Sequence, residues 1–285
     1  MTSAPEAGRD WGNQYRLVAS EKWKAKSAAM GTPVTEALVE YACPLPAMRV
    51  LDLASGTGEP AISLAMRVGP EGSVTALDLS QDLLEIAEKR ARSRGLKNFS
   101  TQQGDAHSLP FPDDTFDLGT SRFGVMFFRD PRKALGELRR VLRSGARACF
   151  LAWGSFDQPY WKSMMGVVHR HVGGPLLPPD GPNPFRFAES GSLSQVLRAA
   201  GFNSVEEKNV TLPWIWPGPP EEVWEQARSV AVPFRPHVRP GASRSVVNNR
   251  KGNLHRSGAL LRWTEDRLRG RGDPRLRTQM TGDGE

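Results

Sequence analysis

Cysteine is scarce in this sequence, with only Cys43 and Cys149 in 285 residues. Two cysteines so far apart give neither a disulfide framework nor the spacing of a metal-ligand cluster, so we predict no metal site. No apolar run is long enough to cross a membrane, and the first residues lack the basic-then-apolar pattern of a signal peptide. These absences favour a cytoplasmic protein without stable membrane insertion.

An excess of charge is also missing from most of the chain. The net charge is +7, but residues 235–285 carry 12 Lys and Arg against 5 Asp and Glu, so the whole excess lies in this tail. A protein that binds a phosphate backbone needs basic residues spread over a folded face. The body of the protein therefore gives no electrostatic reason to expect a nucleic-acid partner.

The most informative stretch spans residues 49–60 and reads RVLDLASGTGEP. Its aliphatic run is typical of a strand covered on both faces. Gly56 and Gly58 follow at once, and glycine lets a backbone approach a ligand without a Cβ in the way. Pro60 suits the start of a helix, whose free N–H groups would point at whatever lies over the turn. The pattern indicates a nucleotide-binding turn.

The turn by itself does not select the nucleotide. The dinucleotide fingerprint requires a third glycine at position 61, and Ala61 satisfies only its looser form. A nicotinamide site and an adenosyl site therefore both stay open. Asp78, 20 residues beyond Gly58, ends a second apolar strand, where an acid can accept hydrogen bonds from ribose hydroxyls. The alternative is that Asp78 caps the next helix, although Ser80 suits that purpose better.

Strand and helix patterns alternate along the rest of the body. We predict an α/β fold, a three-layer sandwich with a mostly parallel, doubly wound sheet and helices on both faces. We expect the first helix to begin at Thr32-Pro33 and the helix after Asp130 to end at Ser144-Gly145. Arg90 is expected on the solvent face of its helix. The predicted strands after the second are Phe99–Gln103, Leu118–Ser121, Ala148–Trp153 and Val205–Leu212.

Short motifs follow one another in a fixed order along the chain. They are VLDLASGTG at 50–58, ALD at 76–78, GDA at 104–106, LPFPD at 109–113, TFD at 115–117, SRFG at 121–124 and LRRVLRSG at 138–145. This ordered set resembles class I S-adenosylmethionine-dependent methyltransferases, nearest to the ubiquinone/menaquinone C-methyltransferase type, over about residues 34–154. The resemblance implies a Rossmann-like methyltransferase fold with S-adenosylmethionine as cofactor.

The resemblance also implies which residues bind the cofactor. The glycine turn would lie against the methionine portion, the acid after the second strand would hold the ribose, and the pair after the third strand would contact the adenine. The alternative for Asp105 is that it only forms a turn after Gly104. The implied cofactor-binding residues are Gly56, Thr57 and Gly58 (methionine portion), Asp78 (ribose), Asp105 and Ala106 (adenine) and Ser121 (beside the amino-acid end).

Catalytic residues are not identified by the sequence. Methyl transfer from a sulfonium requires mainly that the reactants be positioned, so a nucleophile is not needed and a base only serves to deprotonate the acceptor. His107, His169 and His171 are candidate bases, and we interpret His107 as a solvent-facing loop residue. Two other functions stay open: a catalytically impaired S-adenosylmethionine-binding protein and an NAD(P)-dependent oxidoreductase. The lack of a Tyr-x-x-x-Lys pair counts against the second.

Residues 154–190 are rich in Trp, Met, Pro and Gly, and we interpret them as a substrate lid within a methyltransferase domain of residues 1–235. Apolar loops over the carboxyl edge of an open sheet are where ligands bind. The composition favours a small aromatic or lipophilic acceptor. The alternative is that these side chains only pack beneath their own loop.

Residues 236–285 form a basic tail in which apolar periodicity disappears. The resemblance implies a seventh, antiparallel strand between the fifth and the sixth, but no stretch of the tail predicts one. We therefore expect the C-terminal strand to be missing. We interpret the tail as a low-order, non-native terminus such as a frame shift produces; the competing idea is a basic arm that binds nucleic acid or an acidic partner.

Overall fold

The fold is known from a computed structural model that describes residues 24–162, 183–219, 221–222, 225 and 258–267. These residues form a seven-stranded sheet in the order β3-β2-β1-β4-β5-β7-β6. β1 to β5 pair in parallel, and β7 is antiparallel to both of its neighbours. The strands are β1 Arg49–Leu53, β2 Ser73–Asp78, β3 Phe99–Gln103, β4 Phe116–Arg122, β5 Leu142–Trp153, β6 Val205–Pro213 and β7 Gly258–Arg267.

Helices cover the sheet in two groups. α1 contacts α2, which contacts α3, whereas α4 contacts α5. Between these groups the sheet buries nearly all of β1 and the second half of β5, which explains their continuous apolar runs. The predicted α/β sandwich is confirmed. The helices are α1 Lys24–Ala42, α2 Ala61–Val68, α3 Gln81–Ser93, α4 Pro131–Val141 and α5 Ser192–Ala199, with a short 3₁₀ turn at Val125–Phe127.

The N-termini of two helices are capped by side chains. The Ser80 hydroxyl accepts from the backbone N–H of Leu83 at the start of α3 (3.3 Å). The Asp130 carboxylate accepts from the N–H of Lys133 at the start of α4 (3.0 Å). Each bond satisfies a donor that the first helical turn leaves free. Both caps lie at the carboxyl edge of the sheet, so they also fix the loops that surround the site.

Two predicted helix boundaries are wrong. α1 begins at Lys24 and contains Pro33, and the Thr32 hydroxyl donates to the carbonyl of Ala28 (2.9 Å) instead of capping a new helix. The contacts of α1 with β4 and β5 override this local signal. α4 ends at Val141, and β5 follows at once, with Gly145 at φ 82° inside the strand where its register against β4 shifts. Glycine permits that irregularity.

The predicted absence of a seventh strand is also wrong. β7 pairs with β5 from Arg147↔Arg267 to Trp153↔Leu261, and with β6 from Val205↔Asp266 to Pro213↔Gly258. A segment between two open strand edges gains hydrogen bonds on both sides, so pairing can impose a strand on a weakly alternating sequence. The non-native origin of residues 236–285 stays a prediction, as does a domain division at residue 235.

Candidate functional site

The carboxyl ends of β1, β2, β3 and β4 lie side by side, and these strand ends and the loops that follow them carry the seven predicted site residues. Backbone hydrogen bonds join these loops. The N–H of Ser55 donates to the carbonyl of Leu77 (3.0 Å), and the N–H of Gly104 donates to the carbonyl of Asp78 (3.0 Å). The structure therefore brings the predicted motifs together at one edge of the sheet.

The turn after β1 depends on its glycines. Ala54, Gly56 and Gly58 have φ values of 53°, 54° and 103°. A Cβ at Gly58 would approach Cδ1 of Ile62 to 2.8 Å. Since only glycine adopts φ near 100° without strain, and a Cβ at this position would displace Ile62, both the backbone and the space favour glycine. The N-terminus of α2 follows directly beneath it.

Asp78 holds the turn from the neighbouring strand. Its Oδ2 accepts from the backbone N–H of Gly56 (2.8 Å), and its Oδ1 accepts from the N–H of Ser80 (3.0 Å). The helix-cap reading of Asp78 is not supported, because Ser80 supplies the cap of α3. A carboxylate has about four lone-pair positions, so each oxygen of Asp78 can accept one further hydrogen bond.

Asp105 is held by the residue two positions later. Its Oδ1 accepts from the backbone N–H of His107 (2.9 Å) and contacts the ring Nδ1 of His107 (2.5 Å). Burial raises the pKa of Asp105, but the two hydrogen bonds from His107 and the nearby charge of Arg129 outweigh it and hold the pKa below its usual range. Half of the Asp105 side chain stays exposed, so its second oxygen is accessible.

The solvent-facing interpretation of His107 is wrong. Its side chain is only 12% exposed, and its Nε2 accepts from the backbone N–H of Asp130 (3.0 Å). The ring also meets the edge of Phe128 at 6.1 Å. His107 therefore connects the loop after β3 to the loop that precedes α4.

Thr57 is bound from α3. Nη1 of Arg90 donates to the Thr57 carbonyl (2.5 Å) and to its hydroxyl (3.3 Å), and Nη2 of Arg90 reaches Glu59 (3.4 Å). The prediction that Arg90 faces solvent is wrong, because the guanidinium spans the groove between α3 and the turn. The Thr57 side chain is accordingly directed at α3.

The loop after β4 touches the turn closely. The Ser121 hydroxyl donates to the carbonyl of Leu53 (2.9 Å). A Cβ at Gly124 would lie 2.5 Å from Cβ of Ala54 and 2.6 Å from the Ser121 oxygen. Gly124 thus permits the two loops to meet, although its own φ of −91° requires no glycine.

Asp52 is a buried acid near the glycine turn that the sequence reasoning did not single out. It is fully buried near the end of β1, its Oδ1 accepts from the Thr120 hydroxyl (2.7 Å), and its Oδ2 has no partner within the described residues. Burial raises the pKa of Asp52 to about 7. An acid inside an otherwise aliphatic strand, directly before a glycine turn, is the signal that could have identified it.

Leu79 is a second missed residue. It follows Asp78 at the end of β2 and is 53% exposed, whereas most large aliphatic side chains of the sheet are buried. Ala106, by contrast, is buried in the loop after β3. An exposed aliphatic side chain beside this loop can pack against a flat ring. The signal in the sequence was an apolar residue directly after Asp78.

Five aromatic side chains, called the aromatic cluster below, lie beside the carboxyl ends of β4 and β5. Phe123 stacks on Trp153 with ring centroids 4.5 Å apart and planes 14° apart. Trp153 also meets Trp161 and Trp214, each at 5.2 Å and nearly perpendicular. Such pairs are favourable beyond the area they bury. The members are Phe123, Trp153, Tyr160, Trp161 and Trp214.

Most of the predicted lid at 154–190, with His169 and His171, lies outside the described residues. The described ends of this segment, up to residue 162 and from residue 183, include Phe156 and Phe185, whose rings meet at 5.4 Å. Among the helices within the described ranges, none has the length and apolar character needed to cross a membrane.

A glycine turn after β1, an acid at the end of β2 and a second acid after β3 are typical of an α/β protein that binds an adenosine-containing ligand. A model of the ubiE/COQ5 methyltransferase family matches residues 27–172. The chain belongs to this family, and the resemblance inferred from the motifs is confirmed.

Individual relatives agree with this assignment. The demethylmenaquinone methyltransferase of Listeria welshimeri is 35% identical over 123 residues, which are 43% of this chain and 52% of the relative. The chain thus spans about half the length of this and similar curated relatives. The ubiquinone/menaquinone biosynthesis C-methyltransferase UbiE of Shewanella frigidimarina is 32% identical over 187 residues, 61% of this chain and 73% of the relative.

The fold is shared with a more distant enzyme. Haemonchus contortus phosphoethanolamine N-methyltransferase 2, solved in complex with S-adenosyl-L-methionine, superimposes with a TM-score of 0.60 at 15% identity. The match covers 95% of this chain and 61% of that chain. At this identity the likeness concerns the fold alone.

Proposed function

We propose that the protein transfers a methyl group from S-adenosylmethionine to a small aromatic or lipophilic acceptor, with a quinol-like ring as the leading class. The observation that carries the proposal is the position of the aromatic cluster. Phe123 stacks on Trp153 two residues after Ser121, which is hydrogen-bonded to the glycine-turn strand. A flat apolar acceptor could therefore reach the neighbourhood of the turn. The quinone chemistry named for the ubiquinone/menaquinone relative points the same way.

The residues at the carboxyl edge fit this cofactor in their chemistry. Asp78 would accept hydrogen bonds from the ribose hydroxyls, Asp105 would accept from the adenine amine, and the backbone of Ala106 would border the ring. Leu79 supplies an exposed apolar surface for the adenine. Gly56, Thr57, Gly58 and Ser121 would border the methionine portion and its amino-acid end.

Asp52 provides the most specific test of this fit. A buried carboxylate oxygen without a partner is costly, and its presence beside a ligand turn indicates a group that the ligand satisfies. The amino-acid end of S-adenosylmethionine carries an ammonium, which is a suitable partner for Asp52. The raised pKa of Asp52 would fall when such a cation neutralises its charge.

The protein's contribution to the reaction is to position and to exclude water. S-adenosylmethionine, when bound, supplies a methyl group on a sulfonium with a neutral leaving group. The turn, Asp78 and Ser121 would fix one reactant, and the aromatic cluster would orient the other; well-oriented pairs reach effective molarities of about 10⁵ to 10⁸ M. Tyr160 is not a base for the acceptor, because burial raises its pKa to about 12 and keeps it protonated.

Asp78→Ala tests the cofactor part of the proposal. We expect calorimetry to show S-adenosylmethionine and its demethylated product binding to the wild type, with Asp78→Ala weakening both by about 1.5 to 3 kcal/mol, the range for hydrogen bonds to a charged group. Asp82→Ala is the matched control, since Asp82 is an exposed acid in the first turn of α3. Unchanged affinity in Asp78→Ala would remove Asp78 from the site.

A methyl-transfer screen over quinol, phenol, fatty and polyketide-like acceptors tests the acceptor class. Turnover with the aromatic or lipophilic members is the expected result. Binding of S-adenosylmethionine without turnover of any acceptor would favour the catalytically impaired protein, and binding of NAD(P) in its place would favour the oxidoreductase.

A further inference from the structure

We propose that His107 is a positioning residue that sets the orientation of the Asp105 carboxylate toward the adenine amine of the cofactor. The inference rests on the proposed function, since it assigns a role within the same cofactor site. It is carried by three hydrogen bonds of His107 that join Asp105 to the start of α4.

The bond to Asp130 determines where the ring proton lies. A backbone N–H can only donate, so Nε2 of His107 must be the acceptor of the 3.0 Å bond from Asp130. The proton of the neutral ring therefore lies on Nδ1 and is donated to Oδ1 of Asp105. Both ring nitrogens are engaged, so His107 has no free lone pair with which to act as a base.

The same geometry leaves one oxygen of Asp105 available. Oδ1 accepts from both the backbone and the ring of His107, which fixes the carboxylate plane relative to the loop. Oδ2 is then the oxygen that can face a ligand, and half of the side chain is exposed. Without the ring, Asp105 would retain only the backbone bond, and its carboxylate would be less restrained.

The other end of the connection lies at the start of α4. Asp130 caps α4 through its own carboxylate, and the His107 ring lies edge-on to Phe128. His107 thus transfers the fixed position of a helix N-terminus to an exposed carboxylate. A histidine with only a general structural role would not be expected to affect one ligand group selectively.

Calorimetry with two ligands tests this selectivity. The ligands are S-adenosylhomocysteine and its purine-riboside analogue, which lacks the 6-amino group. We expect the wild type to prefer the adenosyl ligand by about tenfold, since that is roughly the effect of one hydrogen bond to a charged group. His107→Ala should remove most of that preference by weakening only the adenosyl ligand, with the analogue changed by less than about twofold.

Two further variants complete the test. His107→Asn retains a side-chain N–H near the position of Nδ1, so it should restore much of the preference. Asp105→Ala should abolish the preference, and the double variant should lose no more than Asp105→Ala alone, because the two residues act as one unit. Thermal unfolding of each variant verifies that it is folded before binding is measured.

Each result decides the matter. A His107→Ala variant that keeps the wild-type preference, or that weakens both ligands equally, would overturn the inference. A wild type that binds neither ligand would contradict the proposed function itself and the inference with it. A wild type that binds both ligands equally would leave the cofactor proposal standing and overturn only the adenine contact through which His107 acts.

Discussion

The two halves of the sheet present different chemistry at the same edge. Over β3, β2, β1 and β4, polar groups are fixed by hydrogen bonds between segments, as at Asp78, and within one loop, as at Asp105. Over β4 and β5, beside the edge that β7 and β6 extend, the aromatic cluster packs ring against ring. Fixed donors and acceptors suit a ligand of defined polar pattern, whereas aromatic rings make little directional demand on a ligand.

Under the proposed function, this difference would make one half specific for the cofactor and the other suited to a variable acceptor. Hydrogen bonds discriminate strongly because a missing partner leaves a buried group unsatisfied. Apolar contacts discriminate weakly, by about 1 to 3 kcal/mol for a missing methylene. Substitutions in the aromatic half should therefore change mainly stability, and substitutions in the polar half should change mainly cofactor affinity.

The largest expected effect is on the aromatic half. Trp153→Ala removes a buried ring that contacts several other aromatic rings and should lower the free energy of unfolding by about 3 to 5 kcal/mol, because it leaves a large cavity. Chemical denaturation gives this value. Affinity for S-adenosylhomocysteine should stay within about twofold while the protein is folded. Trp153→Phe is the control. A loss of cofactor affinity as large as the loss of stability would show that the two halves do not act independently.

Gly124→Ala should have a smaller effect on stability and a larger one on binding. The new Cβ would push the loop after β4 away from Ala54 and Ser121, at a cost of about 2 kcal/mol in the free energy of unfolding. Because this loop borders the glycine turn, cofactor affinity should fall by about tenfold or more, as calorimetry would record.

Gly136→Ala is the matched control. Gly136 lies in α4, and a Cβ there meets nothing within 4 Å. Alanine should stabilise the helix by about 0.5 to 1 kcal/mol without affecting binding. If Gly124→Ala and Gly136→Ala had the same effects on stability and on cofactor affinity, the close contact at Gly124 would contribute to neither.

The raised pKa of Asp52, in the polar half, predicts that the free energy of unfolding depends on pH. In the unfolded chain Asp52 loses its proton near pH 4, whereas the folded protein keeps it until about pH 7. The folded state thus binds more protons between these values, so this group lowers stability as pH rises from about 4 to 7, by at most about 1.4 kcal/mol per pH unit.

Ligand-free Asp52→Asn should lack this component. The measurement is the difference in unfolding free energy between wild type and Asp52→Asn across pH 4 to 8, which cancels other titrating groups. A difference that does not vary with pH would show that Asp52 has an ordinary pKa in the folded protein.

The polar half was largely predictable from the sequence, and the other half was not. The spacing of Gly56, Gly58 and Asp78 is local information, because turns and strand ends are set by neighbouring residues. Their meeting at one edge then follows from parallel topology. The long-range partners of the same loops, Arg90 for Thr57 and Asp130 for His107, could not be inferred, because loop contacts between distant segments leave no periodic signal.

β7 shows the opposite limit of sequence reasoning. Its pairing with β5 and β6 comes from the edges that these strands present, whereas the surrounding residues 235–285 are basic, with 12 Lys and Arg against 5 Asp and Glu, and show no apolar periodicity. The resemblance to a family correctly implied an antiparallel strand between β5 and β6. Reliance on local periodicity alone produced the wrong expectation.

Hydrogen–deuterium exchange with and without saturating S-adenosylhomocysteine tests most directly that the cofactor lies over β1 to β4. The amides of residues 53–58, 78–80 and 104–108 should gain protection, because the ligand would cover the turn and the two acid-bearing loops. Peptides from β6, Val205–Pro213, should exchange as before. Protection confined to β6 and the aromatic cluster, or none at residues 53–58, would contradict the account.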